Sequence, residues 1–142
     1  MADPRWLSKK LVQVLHAESL ARFGGAPGVR DEGLLESALD RPRNLLSYGD
    51  DPSLFDLAAA YAQGLIKNHP SIDGNKRAGL LAARAFLFQN GFRLDPPEAE
   101  TVHVIEGVAA GEVSVDDLAA WLEAQSTARR AVSALPPKSS ST

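Results

Sequence analysis

Ala78-Gly79-Leu80-Leu81-Ala82-Ala83-Arg84-Ala85-Phe86-Leu87-Phe88 is apolar on nearly every face, with one charge in its length. A helix that is apolar all round must be buried, so this stretch predicts a central helix running from about Gly74-Asn75 to Asn90-Gly91. Arg84 is the exception. It follows Arg77 by seven residues and so lies on the same helical face; a partly buried ion pair suits it better than a task in chemistry.

Outward from this helix, the same periodicity recurs. Leu54, Leu57, Ala58, Tyr61 and Leu65 mark a preceding helix, opened by a capping box of Ser53 and Asp56. His69-Pro70 should end it, because a residue before proline avoids the α region. Leu7, Leu11, Val14 and Leu15 suggest a helix from about Ser8, and Asp31 could cap a short one carrying Leu34, Leu35, Ala38 and Leu39. Asp95-Pro96-Pro97-Glu98 reads as N-cap, N1 proline and N3 glutamate. Ser114 opens a last helix, with Val115, Leu118, Trp121 and Leu122 as its buried stripe. Turns fall at Gly24–Gly28 and Tyr48–Pro52. No strand series or internal repeat emerges. The expected fold is an all-α compact bundle over residues 1–125, followed by a disordered tail over 126–142 that has little to bury.

Composition agrees with one soluble domain: 142 residues, 44% hydrophobic and 23% charged. Without cysteine there is no disulfide framework, thiolate nucleophile or thiolate metal site. A net charge of -3 argues against nucleic-acid binding driven by bulk charge. The N-terminal residues lack the apolar core of a signal peptide, and no run approaches a membrane span. A cytoplasmic location is expected.

Chemistry concentrates where the two central helices meet, in Asn68-His69-Pro70-Ser71-Ile72-Asp73-Gly74-Asn75-Lys76-Arg77. A helix N-terminus offers unpaired N–H groups and positive dipole charge to an anion. Gly74 allows close backbone approach, and Lys76 and Arg77 add charge, the arginine with a bidentate fork. Asp73 is a hard oxygen ligand suited to Mg²⁺ beside phosphates. Histidine titrates near neutrality and so suits His69 to taking a proton from a hydroxyl. The same residues also admit a plainer reading, in which Asp73 and Asn75 cap the helix while Lys76 and Arg77 are solvated.

The stretch resembles the Fic/Doc signature, His-x-Phe-x-Asp/Glu-Gly/Ala-Asn-Gly/Lys-Arg, at every fixed position but the phenylalanine. Lys76 and Leu80 match the Doc branch, where Fic proteins have glycine and a second arginine. The likeness extends through Leu15–Glu18, Arg22–Gly25, Pro27–Asp31, Gly33–Leu39, Asp56–Tyr61, Asn90-Gly91 and Ala109–Ser114, and so covers about Leu7 to Gln125. It implies an ATP-Mg²⁺ site with His69 as general base, Asp73 orienting the site and holding the metal, and Gly74, Asn75, Lys76 and Arg77 cradling phosphates. Arg22 would stand near the phosphates or the protein substrate. His16 is expected to be structural, and His103 a surface residue.

Doc-like proteins are kinases that place the γ-phosphate of ATP on a threonine of translation elongation factor Tu. The resemblance therefore implies a toxin that halts translation and a Phd-like antitoxin as its partner. Two other readings remain: a Fic-type AMP transferase, which Gly74 favours, and a quiet binding module. Ser71 motivates the last. It stands where the signature has phenylalanine, whose burial contributes roughly 1.5–3 kcal/mol, so the chain is expected to be a weakened Doc.

Overall fold

A computed structural model describes residues 3–129. Six helices carry the fold: α1 (Lys9–Phe23), α2 (Glu32–Tyr48), α3 (Leu54–Asn68), α4 (Asn75–Gln89), α5 (Glu98–Ala110) and α6 (Val115–Ala124). Two short strands, β1 (Phe92–Leu94) and β2 (Ser126–Ala128), pair antiparallel with Phe92 opposite Ala128. The helical bundle matches the expected fold class.

Local chemistry sets most helix starts. Ser8, Asp31, Ser53 and Ser114 each accept a hydrogen bond from a first-turn amide, and Ser53 with Asp56 completes the capping box. Three expectations fail. Asp95 is not a cap, because α5 starts after Pro97 and the Asp95 N–H donates to the Gln125 carbonyl instead. The helix after Asp31 is not short: it continues through a fully buried Pro42 to Tyr48. Val14, one of the four apolar residues that suggested α1, is 43% exposed, while Val12, not among them, is buried.

The most enclosed helix is α3 rather than α4. It packs against α2, α4, α5 and α6, and it buries the whole run from Leu57 to Ala62. Small residues make this possible. A methyl group on Gly79 of α4 would lie 2.9 Å from the Ala62 carbonyl oxygen and 2.7 Å from Ile66 Cγ1, so the two helices meet at a distance only glycine permits. Around this seam Phe86 packs against Tyr61 at 5.2 Å and Trp6 at 6.0 Å between ring centroids. The buried Tyr61 hydroxyl accepts the Leu7 N–H at 3.1 Å. The outer face of α4 is open: Phe88 is half-exposed beneath the Arg129 guanidinium, and Arg84 is exposed rather than in a buried ion pair.

The segment from Ser126 does have a partner. Its first three residues form β2 on β1, after which the Arg129 N–H donates to the Gly91 carbonyl. The remainder of the expected tail, 130–142, lies outside the described residues. No described helix is long and apolar enough to cross a membrane.

Candidate active site

The α3–α4 connection is held by backbone pairing with the segment after α1. Arg30 N–H donates to the Pro70 carbonyl at 2.7 Å and Ile72 N–H to the Gly28 carbonyl at 3.1 Å, around an antiparallel bridge between Val29 and Ser71. His69 caps α3 in the left-handed region, at φ 50° and ψ 53°, a conformation that strains a non-glycine residue unless its surroundings impose it. Arg30 does so: its Nε donates to the His69 carbonyl at 2.9 Å and its Nη2 to the Asn68 carbonyl at 3.2 Å. The His69 ring remains exposed at the edge of the connection.

Gly74, also left-handed at φ 75°, turns the chain into α4. A side chain there would be strained in φ and would meet His16 Nε2 at 3.2 Å. The first intrahelical bond runs from Ala78 N–H to the Gly74 carbonyl. The amides of Asn75, Lys76 and Arg77 therefore precede the helical ladder and are free to meet an anion.

These groups border one cavity of about 550 Å³ between α4 and α5, whose walls include His69, Asp73, Gly74, Asn75, Lys76 and Arg77, with Thr101, Ile105 and Glu106 opposite. The motif residues thus share one site, but their side chains do different things there. Lys76 reaches across the cavity to Glu106, with Nζ 2.9 and 3.0 Å from its two carboxylate oxygens. Asp73 Oδ2 accepts the Ala26 N–H at 3.1 Å, which ties the carboxylate to the Gly24-Gly25 turn.

Asn75 does not present its side chain to the cavity as a phosphate ligand. It is buried, and its amide closes a ring on Ser71: Oδ1 accepts the Ser71 N–H at 3.0 Å and Nδ2 donates to the Ser71 carbonyl at 2.9 Å. Only its backbone amide is left for an anion. The two Ser71 bonds also fix which end of the amide faces His69. Nδ2 lies 3.4 Å from His69 Nδ1, a long contact between the amide and the imidazole.

Arg77 turns towards α1. Its Nε donates to Ser19 Oγ at 3.1 Å and its Nη2 to the Gly24 carbonyl at 2.9 Å, with the guanidinium 5.2 Å from the Phe23 ring centroid. Two of its donors are thus spent on joining α1 to α4, which leaves less than the full fork expected for phosphate. Arg22 lies outside the cavity walls, exposed, with its guanidinium 5.8 Å from the Phe23 ring centroid. Sequence reasoning missed Arg30 and Glu106 as parts of the site. His16 is structural, as expected: its Nε2 lies 2.6 Å from the Asp73 carbonyl oxygen and braces the loop. His103 is exposed as expected.

Among the described residues no cluster of three or more His, Cys, Asp or Glu side chains is placed to hold a metal ion. Asp73 fits Mg²⁺ only in the manner of a site that shares the ion with phosphate oxygens, since one carboxylate suffices there.

Comparison with known proteins gives the family. Residues 6–87 match the Fic/DOC family. The chain is 34% identical to "Protein kinase doc" of Escherichia phage P1, over 81% of this chain and 90% of that protein. It is 44% identical to "Toxin Doc" of Mycolicibacterium smegmatis, over 77% of this chain and 85% of that one. The signature loop, the helical bundle around it and both relatives lead to one assignment: this chain is a Doc-type member of the Fic/DOC family.

Proposed function

We propose that the chain is the toxin of a toxin–antitoxin module and a cytoplasmic protein kinase, which transfers the γ-phosphate of ATP to a threonine hydroxyl of a translation factor such as elongation factor Tu. A Phd-like antitoxin would hold it in check. The observation that carries this reading is the shared cavity, in which an exposed imidazole, three free helix amides and the Lys76 ammonium border the same space. The relative named a protein kinase points the same way.

In this scheme the α4 amides and Lys76 hold the phosphates, and His69 accepts the proton of the attacking hydroxyl as that oxygen bonds to phosphorus and ADP leaves. Mg²⁺, when bound at Asp73 and the phosphates, neutralises developing negative charge. The remaining contribution is positioning, which a loop braced from α1, from the Arg30 segment and by Asn75 is built to supply.

The test is incubation of the purified chain, beside its His69→Ala variant, with labelled ATP, Mg²⁺ and elongation factor Tu. Label from the γ-position on the factor, absent with the variant, is the expected result. Label from the α-position instead would mark AMP transfer and overturn the kinase assignment. ATP bound without transfer would leave a quiet binding module.

A further inference from the structure

We infer that Glu106 sets how tightly this site holds an anion, by competing with phosphate for Lys76. The inference rests on the reading of the α4 N-terminus as the phosphate site. Lys76 is the ammonium closest in sequence to the free amides of α4, and both carboxylate oxygens of Glu106 engage it, at 2.9 and 3.0 Å. The pair spans the cavity from α4 to α5. An incoming phosphate must either take Lys76 from Glu106 or bind without it, and in both cases it meets a second negative charge on the far wall.

The fold holds Glu106 in that place. Its neighbours in α5 are the buried Ile105 and Gly107, and a methyl on Gly107 would lie 2.5 Å from Val113 Cγ2, so this end of α5 seats closely against the turn leading into α6. The side chains of the pair itself are open, at 45% exposure for Lys76 and 59% for Glu106. An exposed pair is weak and screened by salt. It is thus suited to yielding to a ligand of several charges while discouraging one of few. The same charge favours an anion that arrives with a cation.

The experiment is calorimetric titration of the full chain with ATP and, separately, with inorganic pyrophosphate, each in EDTA and at low salt, for wild type, Glu106→Gln, Lys76→Met and the double variant. Glu106→Gln should tighten binding about fivefold, the upper range for an exposed pair. The gain should shrink towards nothing at about 1 M salt and be absent in the Lys76→Met background. No gain at low salt, or an equal gain without Lys76, would overturn the inference. Pyrophosphate tightening in a chain that ignores ATP would instead retain the role of Glu106 and remove the ATP reading. Failure of every variant to bind either anion would remove both.

Discussion

Two hollows flank the Pro70–Asn75 connection, similar in size and different in the groups they carry. The one towards α5, about 550 Å³, holds His69, Asp73, Lys76 and the free amides of α4. The one towards α1, about 470 Å³, has Val12, Leu20, Val29, Leu35, Leu65 and Ala78 in its walls, with Ser71 facing the same space. The departure from the signature thus borders the hollow towards α1 and not the one that holds His69, Asp73 and Lys76. Those groups are held by hydrogen bonds: Arg30 on His69, Ala26 on Asp73, His16 on the Asp73 carbonyl, and Asn75 on Ser71. A lost aromatic side chain removes packing from beneath a loop that its polar contacts still define. Asn75 belongs to both walls, and the comparison can be broken there.

The largest expected effect belongs to the hollow towards α5. His69→Ala should lower label transfer at least about 100-fold, the lower bound for losing a general base, with thermal unfolding lowered only by the backbone cost of alanine at φ 50°. A smaller loss would mean that the imidazole is not the base.

Asn75→Ala should damage both sides at once. It leaves the N–H and C=O of buried Ser71 without their partners, at a cost of about 2–3 kcal/mol in urea unfolding, and transfer should fall with it. Unchanged stability would show that the ring on Ser71 is replaceable by water.

Ser71→Phe sharpens the comparison from the hollow towards α1. A ring placed in the hollow should raise stability by about 1.5–3 kcal/mol and increase activity by firming the loop. A variant no more active than the original would remove the view of this chain as a weakened Doc, and lower stability would mean an overpacked wall.

The smallest effect lies away from both hollows. Tyr61→Phe strands the Leu7 N–H and should cost about 1 kcal/mol near neutral pH. Burial pushes the Tyr61 phenol above its usual value, against the lowering effect of the Leu7 N–H. The stability this gives is complete below about pH 10, the ordinary tyrosine value, and is lost as pH rises through the higher folded value, because the unfolded chain ionises first. The phenylalanine variant should lack that part of the alkaline decline in a pH series of urea melts.

Helix existence was legible in the sequence wherever a local signal sufficed. Ser8, Asp31, Ser53 and Ser114 cap as their side chains dictate, and the proline after His69 marks the end of α3. What escaped depends on tertiary placement. Residues 92–94 and 126–128 become strands only because α5 and α6 return the chain beside its own earlier course. Asp95 loses its cap to a bond with Gln125 for the same reason. The candidate site divides likewise. The signature names residues 69–77, but no spacing along the chain connects them to His16, Arg30 or Glu106, which arrive from other elements. Nor does the motif say that Asn75 and Arg77 spend their side chains on Ser71, Ser19 and Gly24 rather than on the cavity.

The left-handed backbone at His69 bears on how this protein can be attenuated. Alanine at 69 changes two things together, the ring and the ease with which the chain holds φ 50°, whereas asparagine tolerates that region better and makes the cleaner inactive reference. Arg30 offers the complementary handle. Its bonds reach only the carbonyls that hold the bend, so replacing it slackens the hinge on which the imidazole is mounted while every group that would meet a substrate keeps its identity. A graded series at Arg30 would make a dimmer for the proposed activity, where replacing His69 should switch it off.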